Sequence, residues 1–176
     1  MTLIDPVALR SIFLVIAAVA LLKAVTHDLA VRSVPNLVSL IVAGAGLGIN
    51  ALDGQVIPAL TGGAMVFAGA WYCWRRGWIG GGDVKLLAAC ALLVPPTAVL
   101  RFILSTAIAG GGLALIYLAT SKILRKQVDA PSRPKSLITR VWCAERRRIR
   151  RQMSLPYAWA ICAGVVLTLI VPFPGG

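Results

Sequence analysis

The chain has 176 residues, 59% of them hydrophobic and 14% charged, with a formal net charge of +12. Soluble domains carry about 25% charged residues, so this composition excludes disorder and argues against a soluble globule. No repeat supports a collagen-like or coiled-coil fold, and the length suits one domain or five to six apolar helices of about 20 residues each.

Position interprets the charge. Eleven of the eighteen Lys and Arg lie between Lys122 and Arg151, and the others flank apolar runs. Membrane proteins distribute cations in this way, so a bilayer with anionic lipids, and not nucleic acid, is the expected partner of the basic segment. The four cysteines, Cys73, Cys90, Cys143 and Cys162, form no C-x-x-C pair. They read as packing residues, not as a zinc site or disulfide framework. A single histidine, His27, does not make a metal site, and neither metal nor cofactor is expected.

Six apolar stretches follow one another. The first, Pro6 to Val25, has Arg10 near its start and Lys23 near its end, both long enough to snorkel towards head groups. Within it Ala18-Val19-Ala20 resembles a signal-peptidase site. No basic segment precedes it and the apolar run continues past it, so cleavage is not expected. The second stretch runs from Leu37 to Leu52 and the third from Val56 to Trp74. The fourth, Val84 to Leu100, is interrupted by Pro95-Pro96; the fifth runs from Phe102 to Ser121 and the sixth from Met153 to Pro172. The predicted fold is an all-α polytopic membrane protein of about six transmembrane helices, one membrane-embedded domain over 1–176. The second and fourth stretches are short, since sixteen helical residues cover only about 24 Å of a hydrocarbon core of about 30 Å. They are expected either to lie in locally thinned bilayer or to end in a wet, protein-lined recess. Gly44 and Gly48, at G-x-x-x-G spacing, and Gly110-Gly111-Gly112 are expected to let helices approach closely.

Charge also predicts orientation. If the first helix runs inward, the inner face holds Lys23, Arg32, Arg75, Arg76, Lys85 and the eleven cations of the basic loop 122–152, against Arg10 and Arg101 outside. Both termini are then outside the cytoplasm. The loop, ending in Glu145-Arg146-Arg147-Arg148-Ile149-Arg150-Arg151, reads as a topology anchor on anionic lipid or a docking surface for an acidic partner.

Six acidic residues carry the functional argument. Asp5 and Asp53 fall at outer ends, and Asp129 and Glu145 lie among the arginines of the loop. Asp28 and Asp83 remain, each where a predicted helix meets the inner face, and an ionisable group there is a functional candidate. Two crossings separate them, and an even number of crossings returns the chain to the same face. Two facing carboxylates in a partly dry site share one proton, because repulsion and desolvation disfavour double ionisation. The charged member can then take a proton from water while the neutral one polarises a peptide carbonyl. Gly80-Gly81-Gly82 directly before Asp83 permits positive φ and leaves room for a substrate backbone. Blander readings stand beside this one: Asp83 as a helix N-cap, Asp28 in a connector and paired with Arg32, and Pro35 as the start of the second helix.

Three segments give the chain a resemblance to type IV prepilin peptidases, G-x-G-D intramembrane aspartyl proteases. They are D-L-A-V-R-S-V-P-N from Asp28 to Asn36, G-G-G-D-V-K from Gly80 to Lys85 with the following Leu86-Leu87-Ala88-Ala89, and L-P-Y-A-W-A from Leu155 to Ala160. The resemblance implies a bacterial inner-membrane enzyme that removes the short basic leader of prepilins or pseudopilins at the cytoplasmic face. It also implies Asp28 and Asp83 as the catalytic pair, with Gly80, Gly82, Lys85, Pro35 and Asn36 shaping the site or binding substrate. Longer members carry an N-terminal zinc-binding cysteine segment and methylate the new N-terminus; lacking that cysteine set, this chain is not expected to methylate. Its compact form is similar to the peptidases of tight-adherence (Flp) pili. Rival readings are a G-x-G-D protease for other transmembrane substrates, and a non-enzymatic carrier or pilus-assembly subunit that uses the two aspartates as cation sites.

Overall fold

The structure, a computed structural model, describes residues 5–31, 34–126 and 157–170. Arg32, Asp129, Cys143, Glu145, Leu155-Pro156 and the basic loop beyond Lys126 lie outside the described residues. The described chain is α-helical without strands: α1 (Pro6–Val31), α2 (Asn36–Leu52), α3 (Val56–Arg75), α4 (Gly81–Leu93), a 3-10 turn (Pro96–Ala98), α5 (Val99–Lys126) and α6 (Tyr157–Ile170). Met1–Ala109 with Pro156–Gly176 make one compact unit; Gly110–Leu155 make a second, described only along the later part of α5.

The surface is the inverse of a soluble protein's. Ile57, Met65, Ile108 and Ile170 are each at least 70% exposed. Apolar surface on this scale belongs against lipid, where helices satisfy their own backbone groups. The chain is an all-α membrane protein. Three segments, Pro6–Asp28, Val56–Arg75 and Pro96–Ala119, are long and apolar enough to cross a bilayer. The other helices are shorter, so the six expected stretches are not six equal crossings. α4, with 13 residues, reaches only about 20 Å.

α4 is short because Pro95 and Pro96 supply no N–H to continue its ladder. Leu93 is its last helical residue, and α5 begins at Val99, three residues before the expected Phe102. α4 compensates by burial. It packs against α2, α3 and α6, and Leu86, Cys90 and Val94 are fully buried with Val42, Phe102 and Ile161. Where the prolines strand the carbonyl of Leu92, Asn50 of α2 donates its Nδ2 to it at 2.9 Å, and to Gly46 O at 2.8 Å. Asn50 is 3% exposed; without such pairing, its amide in this position would be costly.

Of the Gly44/Gly48 spacing singled out in the sequence, Gly48 alone sits at a close helix contact, and Gly46 between the two makes another. A Cβ on Gly46 would stand 2.5 Å from Leu92 O, so the α2 and α4 backbones touch. A Cβ on Gly44 would meet nothing within 4 Å, whereas one on Gly48 would stand 2.7 Å from the ring of Phe13 on α1. Gly111 and Gly112 likewise meet nothing within 4 Å. At the end of the bundle formed by the start of α1 and the close of α2, Arg10 pairs with Asp53 at 3.6 Å, both half exposed.

Candidate active site

The opposite end gathers the last turns of α1, the starts of α2, α4 and α6, and the close of α3. Asp28 belongs to α1, which continues to Val31, and not to a connector. It is buried, 6% exposed. Its Oδ2 accepts the backbone N–H of Ala158 at 3.4 Å. Ala158 is the second residue of α6, where N–H groups have no partner within the helix. A helix N-terminus therefore points at the Asp28 carboxylate, an arrangement that favours negative charge.

Asp83 is the third residue of α4, so the N-cap role falls to Gly80. Its carboxylate reaches back to the Gly80 backbone N–H, which is one half of a capping box. Asp83 precedes the apolar run that starts at Val84 and lies outside the three spanning helices. Burial, then the charge of Asp28, push its carboxyl from 3.8 up to about 6, against a smaller downward pull from the Gly80 N–H. The two acids are therefore within electrostatic reach of each other. Tyr157, the first residue of α6, is within reach of Asp83 as well.

Positive φ is not what the three glycines supply. Gly80 is extended at φ −74°, and positive φ among the described glycines occurs only at Gly54 and Gly77. What Gly80, Gly81 and Gly82 provide is close approach. A Cβ on Gly82 would stand 3.3 Å from the backbone N of Val34, one on Gly81 3.3 Å from Trp74 Nε1, and one on Gly80 3.0 Å from Asp83 Oδ2. Side chains there would lift α4 off the α1–α2 connector and off α3, and would crowd the carboxylate itself.

Pro35 occupies the N-cap position of α2, extended at φ −61°, with Asn36 as the first helical residue. Asn36 Oδ1 accepts from Lys85 Nζ at 2.9 Å, which ties the first turn of α4 to that of α2. All the sequence-predicted site residues, Asp28, Asp83, Gly80, Gly82, Lys85, Pro35 and Asn36, thus lie at this end. Arg32 is outside the described residues, so the Asp28–Arg32 pairing is not described. Among the described residues, no three of His, Cys, Asp and Glu group as metal ligands would.

The type IV leader peptidase family matches this chain over residues 14–115, a span that contains both aspartates and more than half of the sequence. The chain belongs to the type IV leader peptidase family. No curated protein and no solved structure matches it. Membership makes this family member a peptidase whose substrates are of the prepilin type, as the three sequence segments suggested. The matched region stops before α6, so the hydrogen bond of Ala158 to Asp28 and the electrostatic reach of Asp83 to Tyr157 lie beyond it. Sequence reasoning had cited both residues only as parts of a segment. The signal that would have found Ala158 is a helix start predicted at the same membrane level as Asp28. Asn50 left a clearer trace: an amide in an apolar helix, in a chain where two prolines elsewhere strand carbonyls.

Proposed function

We propose that this family member is a membrane aspartic endopeptidase. It removes the short basic leader from type IV, Flp-like prepilins or pseudopilins at the cytoplasmic face of the bacterial inner membrane, as one peptidase domain with both termini outside. The observation that carries the reading is the approach of Asp28 on α1 and Asp83 on α4, close enough for the charge of one to hold the proton on the other.

The chemistry follows from the asymmetry between the two acids. Asp28, which faces the N-terminus of α6, accepts the proton of an attacking water. Asp83, in its protonated form, donates a hydrogen bond to the scissile carbonyl. The oxygen of water bonds to the carbonyl carbon, the C–N bond breaks, and the proton gathered by Asp28 passes to the departing amine. A prepilin suits this geometry: its apolar helix enters the bilayer, its leader stays in the cytoplasm, and the bond between them lies at the level of the two acids. The basic loop 122–152 would rest on anionic lipid, which screens it from the basic leader.

The test is cleavage of a prepilin by the purified protein in liposomes, with Asp28→Asn and Asp83→Asn. Each variant should insert normally and leave the leader attached, a loss of at least 1000-fold, on the order expected for removal of a central catalytic group. A variant that processes at the wild-type rate removes its residue from the pair. Equal cleavage of unrelated transmembrane helices would favour a broader protease, and ion flux without cleavage would favour a carrier.

A further inference from the structure

We propose that the C-terminal turn of α3 is a binding site for the head groups of anionic phospholipids, with Arg75 and Arg76 taking the phosphate. The site lies in α3, apart in sequence from the basic loop, and does not depend on the peptidase reading. The body of α3 faces lipid, with Ile57, Leu60, Met65 and Phe67 exposed. Its last turns change character. Trp71, Tyr72, Trp74 and Trp78 are 42–68% exposed, and Trp and Tyr at the end of a spanning helix sit at the head-group level of a bilayer.

The two arginines are fixed among these rings. The guanidinium of Arg75 lies 5.1 Å from the centre of the Trp71 ring, and that of Arg76 lies 5.0 Å from the Tyr72 ring. Arg76 Nη2 also donates to the Tyr72 hydroxyl at 2.6 Å. Both guanidinium groups are thereby drawn one turn back, from the helix end to the level of the aromatic collar. Among the described residues, neither meets a carboxylate; the ion pair there is Arg10 with Asp53, at the other end. Two adjacent cations, held at head-group depth without an acidic partner, match the phosphate of an anionic lipid in charge and in position. Stacking on one face leaves the edges of the guanidinium planes free to donate to phosphate oxygens.

The collar also connects to the candidate active site. After Arg76 the chain turns through Gly77 at φ 75°. Gly77 N–H donates to Trp74 O at 2.8 Å and Trp78 N–H to Cys73 O at 3.0 Å, the paired bonds of a Schellman motif. Gly81 then rests on the indole of Trp74. A head group held by Arg75 and Arg76 therefore sets the bilayer depth of the turn that carries Asp83.

The test uses the full chain with Trp142→Phe and Trp159→Phe, so that fluorescence comes from Trp71, Trp74 and Trp78. It is reconstituted in phosphatidylcholine vesicles that contain a small fraction of either brominated phosphatidylglycerol or brominated phosphatidylcholine. Brominated phosphatidylglycerol should quench as though enriched on the order of tenfold around these rings. Arg75→Gln with Arg76→Gln should make the two lipids quench equally. Equal quenching before that substitution overturns the proposal, and so does an excess that survives it, which would assign the lipid to the basic loop. Should the double variant lose helicity, Arg75→Gln and Arg76→Gln are measured singly in the same vesicles. A fall of the excess in either supports the site; an excess unchanged in both overturns it.

Discussion

Ala158 donates its backbone N–H to Asp28 Oδ2 across 130 residues of sequence, which makes the last described helix a wall of the candidate site. Ala158 is fully buried, so the seat has no room for a larger side chain. Ala158→Leu should displace the start of α6 and lower kcat at least tenfold, with a loss of about 1–3 kcal/mol from overpacking. Ala158→Gly keeps the N–H and should retain most of the activity. Prepilin cleavage and thermal unfolding of both variants in one detergent separate the outcomes; equal activity of the two variants would deny α6 a part in the site.

The proton on Asp83 gives a signed pH dependence. Its folded value of about 6 lies above the ordinary 3.8. The native state therefore holds a proton that the unfolded chain releases, and stability is lost as pH rises from the lower value through the higher one. Asp83→Asn cannot ionise. It should exceed the wild type in stability above pH 6 by about 1 kcal/mol, after allowance for partial exposure, and the gap should close as pH falls to 3.8. In the wild type, kcat/KM should fall as pH rises through the same value, since that ratio follows the free enzyme. Unfolding midpoints of the two proteins across this range check the first statement, and a pH–rate profile checks the second.

Lys85 and Asn36 form an exposed, charge-assisted hydrogen bond, so its energy is modest. A double-mutant cycle with Lys85→Met and Asn36→Ala should give a coupling of about 0.5–1 kcal/mol in unfolding. Each single variant should slow cleavage several-fold, because Lys85 is two residues from Asp83 in the same helix turn. Strictly additive effects would show that the bond does not hold the two helix starts together.

The glycines of α2 offer a contrast within one helix. Gly46→Ala drives a methyl group against the backbone of Leu92 and should cost about 1–3 kcal/mol. Gly44→Ala meets open space and should be neutral or stabilising by about 0.5–1 kcal/mol, through helix propensity. Asn50→Leu should cost about 1–3 kcal/mol, by leaving Leu92 O without a donor. Denaturation midpoints in mixed micelles rank the three; a Gly44 variant worse than the Gly46 variant would contradict the packing described.

How much of this was legible in the sequence differs by feature. Apolar runs reported the helices well, because lipid-facing surface must be continuous. They misplaced ends, since hydrophobicity does not mark where a ladder stops. The connector reading of Asp28, one of the alternatives, fails because α1 carries it: a charged residue ends an apolar run without ending a helix. The common end of Asp28 and Asp83 was readable from counting crossings, which needs no contact information. The G-x-x-x-G spacing passed over Gly46, two residues from each of its glycines and set against α4, because spacing names a face and not the neighbour that fills it. The triple glycine suggested positive φ and open space before Asp83; the torsions are not of that kind, and the proximity to Val34 and Trp74 is something only tertiary structure shows.

The brevity of α4 has a consequence for how the protein lives in membranes of different make-up. A helix ringed by protein and too short to reach both leaflets takes its register from its neighbours, not from acyl-chain length. Hydrophobic mismatch is then absorbed by tilt of the long outer helices. α1 is one of them and carries Asp28, so acyl-chain length reaches the pair of acids through α1 while the seat of Asp83 on α4 stays fixed by its neighbours.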